Sequence, residues 1–221
     1  MPPRRISISH KKLMENTHGF AVVARHSIPT KDRKQLTPEG AMHAHWAGRN
    51  LPSDFKLSIL SSRFSRSQNT GHIAKAGYSG KEMPNQKTKE IYKPNKALGE
   101  VDARKSLEEL RPMGIQIIRD LNKEVYSRIS RNRKPIVLSV SHEGAEYAVL
   151  SALGIIKEKE DLEKIFGARK PTKTLTEASV TLAPTEGILF YFLEDRGQRK
   201  VILSFRKKRF DITKEIKKLS Q

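Results

Sequence analysis

Three short apolar runs constrain the fold of this chain more than any other feature of its sequence. They occupy residues 20–24 (FAVVA), 57–61 (LSILS) and 136–140 (IVLSV). Apolar runs without clear polar alternation are typical of strands buried on both faces of a parallel sheet. Because helical patterns separate the runs, the sequence predicts an α/β fold with three α/β/α layers and a mostly parallel central sheet.

Four helices are predicted around these runs. One covers 38–48, after the N-cap residue Thr37 and with proline at its first position. The others are predicted at about 65–76, after Pro112 and from about Gly144.

The last third of the chain has a different pattern, in which predicted strands follow one another without helices between them. Residues 175–183, 188–194 and 200–205 have the composition of strands and are separated by turn residues. This pattern predicts an antiparallel meander at the C-terminal edge of the sheet.

The domain organisation follows from where these patterns begin and stop. We expect a basic N-terminal extension at 1–19 and a single domain at 20–221. Residues 78–105 show no clear period, and we interpret them as a cap-like insertion over a site.

Composition excludes several classes of protein. The 221 residues contain 43 Lys and Arg, 24 Asp and Glu, and no cysteine, so the net charge is +19. The lack of cysteine excludes disulfides, thiolate metal ligands and cysteine nucleophiles. No apolar run approaches the roughly 20 residues of a membrane-spanning helix. We therefore expect a soluble, cytoplasmic protein with no membrane partner.

The excess positive charge would attract polyanions. Much of it lies in 196–221, with a second cluster at 128–134 that ends a predicted helix. The chain lacks zinc-finger, RNP-type and GXXG motifs, and only 6% of its residues are aromatic. Nucleic acid is a possible partner but not the favoured one.

Polar side chains follow the apolar runs at the points where the predicted strands end. Arg25 and His26 follow the first run, His142 follows the third, and Arg66 stands just beyond the second, in the first turn of a helix. In open α/β sheets, ligands gather outside the carboxyl ends of the strands. Two arginines, two histidines and a helix N-terminus together predict a site for a tetrahedral oxyanion.

The segments around these residues read, in chain order, VVARHSIPT, LTPEGAMHAHWAG, ILSSRFSRSQNTGHIA and IVLSVSHEG. In their order and spacing they resemble the histidine phosphatase superfamily, the phosphoglycerate-mutase-like phosphatases, over roughly residues 20–153. The last two predicted strands are similar to the closing strands of that family.

The resemblance implies a role for each matching residue. His26 would be the nucleophile that accepts the phosphoryl group, and Arg25, Arg66 and His142 would bind the phosphate. Water would then hydrolyse the phosphohistidine, so neither a metal nor another cofactor is expected. Ser27 replaces the glycine of the family's Arg-His-Gly triplet, and its hydroxyl would either donate a hydrogen bond to phosphate or crowd the pocket.

The general acid must protonate the leaving oxygen, which calls for a carboxyl group with a raised pKa. Glu143 resembles the acid that follows the second histidine in the acid-phosphatase branch, and we favour it. Glu100 resembles the glutamate of the mutase branch and comes second. Glu90 and Asp102 lie near it in the sequence and stay open as alternatives.

The favoured function is a phosphohydrolase that cleaves phosphate monoesters of small molecules through a phosphohistidine. One alternative is a weakly active or inactive basic protein of the same fold that binds phosphate or nucleic acid. Another is a phosphomutase, which would retain the donor phosphate on His26.

Overall fold

The structure is a computed structural model that describes residues 3–25, 27, 29–32, 34–86, 95–131, 133–142, 144–166, 187–195 and 197–220. These residues form seven strands and eight helices. The strands are β1 (Arg4–Ile6), β2 (Thr17–Arg25), β3 (Lys56–Ser61), β4 (Pro135–Ser141), β5 (Ile188–Asp195), β6 (Gln198–Phe205) and β7 (Lys208–Asp211). The helices are α1 (His10–Glu15), α2 (Pro38–Arg49), α3 (Ser65–Tyr78), α4 (Lys96–Glu100), α5 (Leu107–Ile129), α6 (Ala145–Ala152), α7 (Asp161–Phe166) and α8 (Thr213–Leu219). None of the helices in these described ranges is both long and apolar enough to cross a lipid bilayer.

The strands form one mixed sheet in the order β1-β7-β6-β5-β2-β4-β3. The three apolar runs lie in β2, β3 and β4, where β4 pairs in parallel with both of the others. The remaining pairings are antiparallel, from β2–β5 through to β1–β7. The predicted α/β fold is confirmed. The antiparallel part extends two strands beyond those expected, because β7 pairs with β6 and β1 pairs with β7.

Helices cover both faces of the sheet. Along β2, Ala21 and Val23 belong to the cluster of buried residues that contains α5 and α6. Val22 and Ala24 belong to the cluster that contains α2 and α3 on the other face. Successive side chains of a strand point to opposite faces, so this alternation gives the three predicted layers.

Helices α2 and α3 approach each other closely at a glycine. A Cβ atom at Gly48 would lie 1.9 Å from the backbone oxygen of Ala74, so no side chain fits there. This contact packs the C-terminal half of α3 closely against α2.

The longest helix, α5, begins earlier than the sequence predicts. Ser106 caps it, the Glu109 side chain accepts a hydrogen bond from the Ser106 backbone, and Pro112 lies inside the helix. The expectation that this helix follows Pro112 is therefore wrong. A capping box satisfies two orphan donors at once, which sets the helix start upstream of the proline.

The N-terminal segment expected to be an extension contributes two elements to the fold. Arg4 pairs with Asp211 in the ladder between β1 and β7. Leu13 of α1 is fully buried and packs with Phe20. The segment joins the sheet through pairing with the end of the chain, which its own sequence pattern does not reveal.

Two other predicted segments are described only in part or not at all. The strand expected at 175–183 lies outside the described residues. Of the cap-like insertion, residues 78–86 and 95–105 are described and include α4.

Candidate active site

The parallel strands bring Arg25 and His142, two of the predicted site residues, to one edge of the sheet. Arg25, the last residue of β2, pairs with Ser141, the last residue of β4, so His142 comes one position beyond the neighbouring strand. Ser61 ends β3 opposite Val140. All three carboxyl ends therefore meet at the same level, as the sequence predicts.

A cavity of about 630 Å³ opens at this edge. Arg25, Arg66 and His142 line it together with Phe64, and the segment 99–105 lines its other side. The structure thus brings together these two arginines, His142 and Glu100, and Asp102, an alternative candidate for the acid, lines the same cavity. Their assigned roles stay predictions.

His142 is held at both ring nitrogens. An Nη of Arg66 donates a hydrogen bond to His142 Nδ1 at 3.3 Å, since a guanidinium has no acceptor. Nδ1 therefore carries no proton, and the neutral ring donates from Nε2 to the Ser62 hydroxyl at 3.1 Å. Burial, followed by the positive charges of Arg66 and Arg25, lowers the pKa of His142 to about 4, against a smaller opposing effect of Asp102. The ring is consequently neutral at neutral pH.

An aromatic ring completes this wall of the cavity. Phe64 packs edge-on against His142, with 4.6 Å between the ring centroids. The guanidinium of Arg66 lies over the Phe64 ring at 5.2 Å from its centroid. Phe64 therefore contacts both Arg66 and His142, the two phosphate-binding candidates of this wall. It is also 38% exposed, so it faces solvent. Sequence reasoning missed Phe64 and Ser62, although both lie within the quoted segment around Arg66.

Ser27 has a structural partner that the sequence did not indicate. Its hydroxyl donates to the backbone oxygen of Gly40 in α2 at 2.8 Å, and its side chain is 2% exposed. Its backbone N–H donates to Thr70 Oγ1 at 3.0 Å, and the Thr70 hydroxyl donates to the Arg66 backbone oxygen. Thr70 therefore ties the loop after β2 to the first turn of α3. The predicted contact of Ser27 with phosphate stays a prediction.

The acidic candidates differ in their surroundings. Arg104 holds Asp102 through several hydrogen bonds, the shortest of 2.6 Å, and keeps the pKa of this carboxyl far below its ordinary value. The Glu100 carboxylate lies 3.7 Å from Lys96 Nζ and is partly exposed. The nucleophile candidate His26 and the acid candidates Glu143 and Glu90 lie outside the described residues.

The segment after α4 packs on the turn that follows His142. Gly144 has φ +107°, and a Cβ atom there would lie 2.7 Å from the backbone nitrogen of Ala103. Lys159 Nζ donates to the Ala103 backbone oxygen at 2.5 Å. These contacts hold residues 102–103, which line the cavity, against the residues that follow β4 and α6.

The described residues contain no group of three or more His, Asp or Glu side chains placed to hold a metal ion. What the cavity offers is positive charge and hydrogen-bond donors. Such a lining suits the oxygens of a phosphoryl group.

Several solved structures are similar to this chain. One is phosphoserine phosphatase from Entamoeba histolytica in complex with 3-phosphoglyceric acid, with 15% identity, a TM-score of 0.45, and coverage of 83% of this chain and 94% of that one. Bacillus stearothermophilus YhfR has 18% identity, a TM-score of 0.44 and coverage of 82% and 94%. Phosphoglycerate mutase from Plasmodium falciparum has 15% identity, a TM-score of 0.38 and coverage of 87% and 97%.

No family model matches the chain, and no curated protein matches it either. At TM-scores below 0.5 and identities below 20%, these similarities assign neither a substrate nor a reaction to this chain.

Proposed function

We propose that this chain is a phosphohydrolase of the histidine phosphatase superfamily that cleaves phosphate monoesters through a phosphohistidine. The observation that carries the proposal is the meeting of Arg25, Arg66 and His142 in one cavity at the carboxyl ends of parallel strands. Two guanidinium groups neutralise the charge of a phosphate dianion and bind its oxygens in a fixed geometry.

The chemistry we propose needs one nucleophile and one acid. His26 directly follows Arg25 in the sequence and attacks phosphorus while the bond to the leaving oxygen breaks. The arginines stabilise the charge on the three equatorial oxygens during this transfer. A carboxylic acid gives its proton to the leaving oxygen, and the resulting carboxylate then deprotonates the water that hydrolyses the phosphohistidine.

Glu143 and Glu100 are the two candidates for that acid. Asp102 is less suited to the role, because Arg104 keeps its carboxyl ionised at neutral pH. The substrate class we propose is a phosphorylated small molecule, since a cavity of about 630 Å³ has the size of a typical small-ligand pocket.

Hydrolysis of an aryl phosphate in the presence of a metal chelator tests the reaction. We expect the wild-type protein to turn over the substrate, vanadate to inhibit it, and His26→Ala to lose activity by at least about a thousandfold. His18→Ala is the matched control, because His18 is an exposed residue of the same strand as Arg25. Activity of His26→Ala equal to that of the control would exclude the phosphohistidine mechanism.

A phosphomutase would give a different result in a second measurement. If the purified protein carries a phosphate on His26 by mass spectrometry and transfers it to an added acceptor faster than to water, the activity is that of a mutase. Faster transfer to water supports the phosphohydrolase.

A further inference from the structure

A second cavity, of about 890 Å³, lies at the other end of the sheet. Its walls are β1, the start of β6 and the first turns of α8. β6 begins opposite the end of β5, and the end of β5 pairs with Thr17 at the beginning of β2. Because β2 has nine residues, this cavity is separated from the Arg25 end of the strand by roughly 26 Å.

The lining of this cavity, which we name the basic cleft, is strongly positive. Its cations outnumber its acids by five to two, the cations being Arg4, Arg199, Lys200, Lys214 and Lys217 and the acids Asp211 and Glu215. The Asp211 carboxylate is already engaged, since it accepts hydrogen bonds from the backbone and hydroxyl of Thr213.

The cations of the basic cleft come from both ends of the chain. Arg4 lies on β1, Arg199 and Lys200 lie on β6, and Lys214 and Lys217 lie on α8. Pairing of Arg4 with Asp211 brings the two ends of the chain together. Four of these cations, Arg4, Arg199, Lys214 and Lys217, are exposed. Among the residues that the structure describes, none of these four takes part in an ion pair. The fold therefore gathers solvent-facing positive charge at a concave surface far from the candidate active site.

We propose that the basic cleft binds the backbone of a nucleic acid. Several cations spread over one cleft match a ligand with repeated phosphates better than a single phosphate group. The large apolar side chains found exposed in the described ranges, Met42, Trp46, Phe64 and Met83, do not line the cleft. It therefore lacks the apolar anchors that a membrane-binding surface inserts into lipid.

The lining of the basic cleft suits recognition of a nucleic acid through its charged backbone. Its described lining contains no aromatic side chain on which a base would stack. Binding through phosphates predicts similar affinity for RNA and DNA strands of the same sequence and a steep dependence on salt. It also gives a role to four cations of the last segment of the chain, Arg199, Lys200, Lys214 and Lys217, which the proposed phosphatase reaction does not use.

Fluorescence anisotropy with a labelled single-stranded oligonucleotide tests the proposal. In the variant Arg4→Gln/Arg199→Gln/Lys214→Gln/Lys217→Gln, affinity at low salt should fall at least about tenfold. The slope of log K against log salt should decrease by about three, at roughly 0.7 per lost phosphate contact. The control variant, Arg49→Gln/Arg111→Gln/Lys56→Gln/Lys157→Gln, removes the same number of exposed charges from other surfaces and should retain the affinity and slope of the wild type.

Three results would overturn the proposal. They are an equal loss of affinity in both variants, competition of vanadate with the oligonucleotide, and binding to anionic vesicles without binding to the oligonucleotide. Hydrolysis of an aryl phosphate should be unchanged in both variants. Its loss in His26→Ala tests the phosphatase separately, so the two proposals fail or survive independently.

Discussion

The two halves of the sheet use positive charge in different ways. In the parallel half (β2, β4 and β3), Arg25 and Arg66 are half-buried near His142, whose pKa is lowered by burial and then by their positive charges. In the antiparallel half (β5, β6, β7 and β1), cations such as Lys214 and Lys217 of the adjoining α8 are exposed around a cleft. The net charge of +19 does not distinguish these environments. Burial and contacts with other side chains do, because they determine which cations are fixed in place for chemistry.

The largest expected difference between the halves is in catalysis. Arg66→Ala should lower kcat/KM for an aryl phosphate by about 10²- to 10³-fold, because it removes a fixed donor to the phosphoryl oxygens. Arg199→Ala removes the same charge from the antiparallel half and should change kcat/KM less than about twofold. Steady-state kinetics at moderate salt measures both.

An equal loss of activity in Arg66→Ala and Arg199→Ala would contradict this contrast between the two halves. In that case the general positive field of the protein, and not the placement of Arg66, would control the reaction. Circular dichroism of both variants verifies that each is folded.

A smaller effect is expected from His142 on the stability of the protein in acid. His142 stays neutral in the folded protein down to about pH 4, whereas an unfolded histidine takes up a proton near pH 6.5. Between these values the unfolded state binds more protons, so the free energy of unfolding should fall as pH falls from 6.5 to 4. The loss from this group should be about 2–3 kcal/mol, complete near pH 4 and absent above pH 6.5.

Urea denaturation at several pH values measures this contribution. His142→Gln removes the titrating ring, so its free energy of unfolding should depend less on pH between 4 and 6.5 than that of the wild type. His18→Gln, at an exposed position of β2, should keep the wild-type slope. Identical slopes in all three proteins would show that folding does not lower the pKa of His142.

The parallel half was largely predictable from sequence, because β2 and β4 are buried on both faces and their apolar runs are a signal of that burial. The site followed from the same signal: once three parallel strands are assigned, their carboxyl ends must meet, and with them Arg25, Arg66 and His142. Ser62 and Phe64 were not predicted as partners of His142. Their roles depend on side-chain directions at the start of α3, which sequence spacing does not specify.

The antiparallel half was less predictable. β1 is three residues long and joins the sheet only by pairing with β7, which follows it by some 200 positions in the chain. Such a short strand has too few residues to show a period, so tertiary pairing decides its structure. The start of α5 is a different case. Ser106 and Glu109 carried the signal of a capping box, and the proline at position 112 was given more weight than that signal.

The smallest expected effect concerns Asp102, a carboxylate at the mouth of the candidate active site. Asp102→Asn releases Arg104 from its ion pair, and the added positive charge should lower KM for an anionic substrate by about fivefold at most, with kcat little changed. Asp54→Asn, at an exposed position away from the cavity, makes the same change of charge and should leave KM unaltered. Arg104 keeps the pKa of Asp102 well below its ordinary value, so this carboxyl holds no proton to give at neutral pH. A loss of kcat of a hundredfold or more in Asp102→Asn alone would contradict this and identify Asp102 as the general acid in place of Glu143 or Glu100.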